Sequence, residues 1–264
     1  MLGRPVVHSL SPVLHRAAYA ALGLNWTYDA IDCGVDDLPQ VLAERAGWFG
    51  FSATMPLKHA LLGVAVDVRD RATAIGAANT LLAGPAGWIA DNTDAYGIAA
   101  ALTEQGVRPR SVTLLGAGGT AQATLAALVD LDVGDCSVLV RDPSRAGALE
   151  ATADRLGVGL SIDTLGGNHS ALGADLVVST LPPGAADAYA ARDWTSGQAV
   201  LDVVYRPWPT PLAAAAAGGG ATVVSGALML LHQAAEQVRL MTGQNPPVDA
   251  MREALRMAAP NCGV

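Results

Sequence analysis

Lysine is almost missing from this chain: of 16 basic side chains only Lys58 is lysine, and the other 15 are arginine. A guanidinium is planar and permanently charged. Position 58 alone keeps a compact ammonium that can lose its proton and turn freely. Cysteine is also scarce. Cys33, Cys136 and Cys262 are odd in number and far apart, with no CxxC or Cys/His cluster. That excludes a disulfide framework and a structural zinc site, and makes a reducing cytoplasm the expected home. The five histidines form no HExxH or other ligand pair, so no metal is expected. Positive charge is outweighed, with 24 acidic residues and a net charge of -8, and no arginine stripe appears. A nucleic acid or an anionic membrane is therefore not an expected partner. Nor is there a membrane-length apolar run, which would need about 20 continuous residues. Pro207–Gln237 comes nearest, with one formal charge at Glu236, but Gly218-Gly219-Gly220 and Thr222 interrupt it. A short helix, a glycine turn, a buried strand and a second helix fit that stretch better. No long apolar stretch precedes Pro5, so no signal peptide is expected.

What is present fits about two domains in 264 residues. The first part alternates helical and extended patterns. Leu14–Leu22 reads as a helix with Ser11 as N-cap and Pro12 in its first turn. Trp26–Cys33 alternates like a strand, Asp36–Ala46 reads as helix and Phe49–Thr54 as extended. Pro56 is expected to open a short helix carrying Lys58, and Gly84-Pro85-Ala86-Gly87 a hairpin between Thr80–Leu82 and Trp88–Ala90. From Ser111 the rhythm changes to short apolar runs: Val112–Leu115, Ser137–Val140, Leu176–Ser179, Val200–Val203 and Thr222–Val224, with Leu160–Ile162 weaker. Alanine-rich helical stretches separate several of them, as in a parallel sheet with helices on both faces. The fold class is α/β. Residues 1–95 form the first domain, 96–227 a Rossmann-like domain with a doubly wound sheet, and 228–264 two helices expected to pack back on the first.

Three constellations carry chemistry. Val112–Leu115 runs into Gly116-Ala117-Gly118-Gly119-Thr120-Ala121 and then an apolar helix, a G-x-G-x-x-A in the strand–turn–helix context that makes it meaningful. The glycines allow a tight turn and close approach to a pyrophosphate, and the helix N-terminus offers free N–H groups. At the tip of the next strand stands Arg141, with Arg145 one turn on, where two guanidinium groups suit a 2′-phosphate and favour NADP. Asp142 could repel that phosphate or pair with Arg145, and the segment also reads as a solvated turn. Ser9 and Ser11 stand two apart, so in an extended backbone both hydroxyls could reach one carboxylate. Asp94 closes Asp91-Asn92-Thr93-Asp94 ahead of a helix over Ala95–Thr103, where Thr93 or Asn92 can cap. A titratable ammonium, a carboxylate and a dinucleotide loop together suggest proton and hydride transfer on a small alcohol.

Seven ordered motifs resemble the shikimate dehydrogenase family from about Val6 to Met257. They are His8-Ser9-Leu10-Ser11-Pro12, Ala53-Thr54-Met55-Pro56-Leu57-Lys58, Gly76-Ala77-Ala78-Asn79-Thr80, Asp91–Asp94, Gly116–Thr120, Asp202-Val203-Val204-Tyr205-Arg206-Pro207 and Gly226–Ala234. The resemblance implies NADP-linked interconversion of shikimate and 3-dehydroshikimate in aromatic amino acid biosynthesis. By it, Lys58 and Asp94 are the catalytic pair. Ser9 and Ser11 hold the substrate carboxylate. Thr54, Asn79, Asp94 and Gln233 bind ring hydroxyls, with Tyr205 nearby. Gly116, Ala117, Gly118, Gly119, Thr120, Arg141 and Arg145 bind the cofactor. Thr180, Leu181, Pro182 and Val203 lie beside it, and Gly226 and Met229 line the nicotinamide side. Several positions depart from the pattern: Ser52 replaces a frequent Asn, Thr120 a common Ala, and Val140 and Asp142 an Asn and a Thr of the 2′-phosphate motif. Ser11, where relatives that accept quinate often have Thr, leans towards shikimate. The resemblance leaves open a quinate or aminoshikimate enzyme using NAD, and a non-catalytic ligand sensor. A methylene-tetrahydrofolate dehydrogenase has a similar two-domain shape but no need of Ser9, Ser11 and Gln233 in this arrangement. A homodimer is compatible with the sequence, and hinges are expected near Asp94–Gly97 and Gly226–Met229.

Overall fold

The computed structural model describes residues 1–166 and 169–264. The first part begins β1 (Leu2–Gly3), α1 (Ser11–Ala21), β2 (Ile31–Asp32), α2 (Leu38–Glu44) and β3 (Gly50–Ser52). It continues with α3 (Ala60–Val64), β4 (Asp67–Val68), α4 (Asp70–Ile75), β5 (Thr80–Gly84) and β6 (Gly87–Asp91). A four-stranded mixed sheet runs β3-β5-β6-β4, with the expected hairpin joining β5 to β6, and β1 pairs with β2 in parallel. Its core gathers Leu38, Phe51, Leu57, Leu61 and Leu81.

The remainder is α5 (Asp94–Glu104), β7 (Val112–Leu115), α6 (Gly119–Asp130), β8 (Asp135–Val140), α7 (Gly147–Leu156) and β9 (Gly159–Thr164). Then come β10 (Leu176–Ser179), β11 (Ala199–Asp202), α8 (Pro211–Gly218), β12 (Thr222–Ser225), α9 (Gly226–Thr242) and α10 (Val248–Ala258). Six parallel strands lie in the order β12-β11-β10-β7-β8-β9. Every residue of β7, β10 and β11 is buried, so the apolar runs are covered on both faces, as a parallel sheet requires. The chain enters at β7, winds outward to β9, then returns to β10 on the other side of β7. Between β7 and β10 the winding reverses, and the crevice beyond their carboxyl ends is where open α/β sheets bind ligands. α9 lies along α5 and α1, and α10 lies on α1, with Met251 and Leu255 fully buried. Among the described residues no helix is long and apolar enough to cross a membrane.

Several local expectations are corrected. The alternation at Trp26–Cys33 yields only the two residues of β2. Trp26 and Tyr28 serve an aromatic cluster instead, Tyr28 stacking on His15 at 4.0 Å and Trp26 on Phe49 at 4.3 Å. Ser11 does not cap α1 but is its first residue, and the Ser9 hydroxyl accepts the Ser11 N–H at 3.2 Å. Lys58 is not in a helix. Its carbonyl accepts the Ala78 N–H at 2.8 Å, and that non-local bond holds position 58 in a turn two residues before α3. The segments expected as hinges, 94–97 and 226–229, are not among these corrections: they form the first turns of α5 and α9.

Candidate active site

Lys58 leaves its turn pointing into the seam between the two sheets. Its Nζ donates to Asp94 Oδ2 at 2.6 Å and to Thr120 Oγ1 at 3.1 Å. The two charged side chains are 16% and 7% exposed, so the pair is largely withdrawn from water. Asp94 opens α5, where the helix macrodipole is positive. The Asn92 carbonyl oxygen Oδ1 accepts the Asp94 N–H at 2.9 Å, so Asn92 caps the helix. Thr93, the other expected cap, turns instead to Asn79 and Gln233.

Asn79 is the hub. Its Nδ2 donates to Asp94 Oδ1 at 2.8 Å, to Thr93 Oγ1 at 3.0 Å and to Gln233 Oε1 at 3.3 Å. Its Oδ1 accepts the Thr93 N–H at 2.9 Å and the Thr80 hydroxyl at 2.8 Å. The residue before β5 and the helices α5 and α9 thereby bring Asn79, Asp94 and Gln233 to one point. Thr54 follows Ala53, whose N–H donates to the Asn79 carbonyl at 2.7 Å, in the turn leading to Lys58. Ser11 is buried, and the Tyr28 hydroxyl reaches both it and Ser52. The sequence reading missed Tyr28: nothing in local spacing marks a residue 17 positions from Ser11 as its partner. Tyr205 bonds the backbone of Leu10, between the two serines, and burial raises its hydroxyl pKa.

On the facing side, Gly116 adopts φ +107, and a Cβ there would meet Thr180 Oγ1 at 2.6 Å. Only glycine fits, and the contact puts the glycine loop beside Thr180-Leu181-Pro182 at the carboxyl ends of β7 and β10. Gly118 is exposed and a Cβ on it would meet nothing, leaving backbone open to a ligand. Val203 adjoins Gly226 at the start of α9, and Met229 one turn on is buried. Arg141 and Arg145 are exposed beyond β8. Asp142 accepts from the Ser144 hydroxyl at 2.6 Å and from its N–H at 3.0 Å, which holds its carboxyl below the usual range. It is turned into its own turn and makes no ion pair with Arg145. The two guanidinium groups remain available to a phosphate. A positive-φ glycine, open backbone at a helix N-terminus and two free arginines together fit a phosphorylated dinucleotide.

A site made of a dinucleotide crevice facing a lysine–carboxylate pair and a cluster of amide and hydroxyl groups defines a pyridine-nucleotide oxidoreductase. Residues 1–81 match the shikimate dehydrogenase substrate binding domain, and residues 226–256 the shikimate 5'-dehydrogenase C-terminal domain. The shikimate dehydrogenase (NADP(+)) of Methanothermobacter thermautotrophicus is 36% identical, covering 97% of this chain and 94% of that protein. The crystal structure of Mycobacterium tuberculosis shikimate dehydrogenase superposes with a TM-score of 0.88 at 42% identity, over 97% of both chains. That of the Thermus thermophilus enzyme in complex with NADP(H) and shikimate gives 0.84 at 35% identity, over 97% of both. The chain belongs to the shikimate dehydrogenase family.

Proposed function

We propose that this chain interconverts 3-dehydroshikimate and shikimate with NADP(H), and that Lys58 and Asp94 move the proton at the substrate's C3 oxygen. Residues 1–95 hold the substrate and 96–227 the cofactor, while 228–264 return to the first domain and carry Gln233. The observation that carries the reading is the Lys58–Asp94 contact of 2.6 Å, set directly against the glycine loop. NADP(H), when bound, supplies or accepts the hydride. Gly116, Ala117, Gly118, Gly119 and Thr120 cradle its pyrophosphate and Arg141 and Arg145 its 2′-phosphate. Thr180, Leu181, Pro182 and Val203 flank it, with Gly226 and Met229 on the nicotinamide side.

Ser9 and Ser11 take the substrate carboxylate, and Tyr205 closes that end. Thr54, Asn79 and Gln233 read the ring hydroxyls. An analogue lacking a hydroxyl leaves these buried amides unpaired, which is how such a site discriminates. In the reducing direction Lys58 donates to the ketone oxygen and yields its proton as the alcohol forms. In the oxidising direction it accepts that proton, and Asp94 holds the amine in place throughout. The site is assembled from one chain, so a homodimer is not needed to complete it. Three free, buried cysteines support a cytoplasmic setting.

The test is a grid of initial rates with shikimate and quinate, each against NADP and NAD. Shikimate with NADP should dominate. Lys58→Ala should lower kcat by about 10²–10⁴-fold, with substrate KM within a few-fold. Lys58→Arg should fail nearly as badly, because a guanidinium keeps the charge and cannot release the proton. Full activity of Lys58→Arg refutes the proton-transfer role.

A further inference from the structure

We propose that Thr120 is a positioning residue that fixes the rotation of the Lys58 ammonium and aims its remaining N–H at the substrate oxygen, so that the lysine is aligned only when the glycine loop is docked against it. The inference rests on the role of Lys58 given above. An ammonium has three donors on a three-fold axis. One bond, to Asp94 Oδ2 at 2.6 Å, fixes one N–H and leaves the group free to spin about it. The second bond, to Thr120 Oγ1 at 3.1 Å, removes that freedom. With two of its donors engaged, the direction of the third is determined, and a reacting group held in one orientation escapes the entropy of finding it.

The contact crosses the seam. Lys58 belongs to the turn before α3, and Thr120 is the second residue of α6, 62 positions later. The approach is built into the backbone, since a Cβ at Gly119 would lie 3.3 Å from Lys58 Cδ, tighter than ordinary contact. The next residue of the turn repeats the arrangement: the His59 ring Nε2 bonds Gln122 Oε1 at 2.8 Å. The first turn of α6 therefore grips the lysine turn at two successive residues. Thr120 contributes an oxygen where alanine would leave the ammonium a single partner.

Lys58 carries the only lysine amine of the chain, so peptide mapping after reaction with an amine-directed acylating reagent reports on it alone. The variants are Thr120→Val, which keeps the shape and loses the oxygen, Thr120→Ser, which keeps the oxygen, and Thr120→Ala should the valine variant not fold. Losing the oxygen should lower kcat about tenfold, with shikimate KM within about twofold, and should speed acylation of Lys58 in the free enzyme about two- to tenfold. Thr120→Ser should recover most of the rate and of the protection. A valine or alanine variant that matches the wild type in either kcat or acylation rate overturns the proposal. So does a serine variant as impaired as valine, which would assign the effect to packing. Lys58→Ala is assayed beside them: wild-type turnover by that variant would bring down the function reading and this proposal with it, whereas failure confined to Thr120 leaves the reading standing.

Discussion

His15 shows how a single buried side chain can support the site from a distance. Its Nε2 meets Gln237 Oε1 at 3.2 Å, and Gln237 Nε2 donates to Thr80 Oγ1 at 2.9 Å. Thr80 donates to Asn79 Oδ1 at 2.8 Å, and Asn79 to Asp94 Oδ1 at 2.8 Å. Because Gln237 accepts through its oxygen, the histidine is the neutral tautomer with its proton on Nε2, and Nδ1 faces the Tyr19 hydroxyl at 3.3 Å. Burial depresses its pKa from 6.5 to about 3. Between those values the unfolded chain binds a proton that the folded one does not, so stability falls as pH falls through 6.5 towards 3. From pH 7 to pH 5 the loss attributable to His15 should be about 2 kcal/mol. Denaturant unfolding at the two pH values would check it. The drop should be smaller by that amount in His15→Phe, even though this variant is less stable at pH 7 for leaving the Gln237 Oε1 without its partner.

Helices α5 and α9 bring Asp94 and Gln233 together, and one glycine sets their separation. A Cβ at Gly97 would lie 2.7 Å from the Met229 carbonyl oxygen and 2.8 Å from Gln233 Cβ. Gly97→Ala would have to push the two helices apart, because the nearest obstacle is backbone. We expect a loss of about 1–3 kcal/mol, as for other overpacked cores, and a lower kcat because Gln233 is drawn away from Asn79 and Thr93. Gly147→Ala, in the first turn of α7 with nothing within 4 Å, should be neutral or slightly stabilising. Melting curves and initial rates on both variants would test the contrast.

Strands β7, β10 and β11 are legible because burial on both faces writes an apolar run at each, whereas the edge strand β9 is mostly exposed and leaves only the weaker Leu160–Ile162 signal. Trp26–Cys33 misleads because its alternating aromatics pack on His15 and Phe49 across a loop instead of along a ladder. Position 58 misleads as well: Pro56 suggests a helix, but Ala78, 20 residues on, claims the Lys58 carbonyl. Motif residues such as Asn79, Asp94 and Gln233 can be named from spacing and resemblance. Their partners lie far along the chain, and the bonds from Lys58 to Thr120 and from His15 to Gln237 span 62 and 222 positions. No local rule relates such pairs, and only the fold brings them together.

For the molecule as a whole, the seam between the two sheets is closed on the α4 side by a set of polar contacts. Thr152 Oγ1 donates to the Ile75 carbonyl at 2.7 Å and Arg155 Nε to that of Ala74 at 2.9 Å. Arg71 reaches Asp130 at 2.7 Å. Gln122 is at the centre and is buried. Its Nε2 bonds the Ile75 and Ala148 carbonyls and the Thr152 hydroxyl, while its Oε1 receives His59. Replacing this amide by leucine strips partners from several buried groups at once, whereas the Arg71–Asp130 pair is some 40% exposed and screened. Gln122→Leu should therefore cost about 1–3 kcal/mol, and Arg71→Ala no more than about 1 kcal/mol. The losses should also differ in place. In Gln122→Leu, hydrogen exchange should quicken in residues 57–64 and 70–75 while the strands β7 to β12 keep their protection. KM for shikimate should rise a few-fold as the lysine turn loosens from α6. Uniform acceleration across both sheets would instead show that Gln122 stabilises the fold as one unit and has no particular hold on the seam.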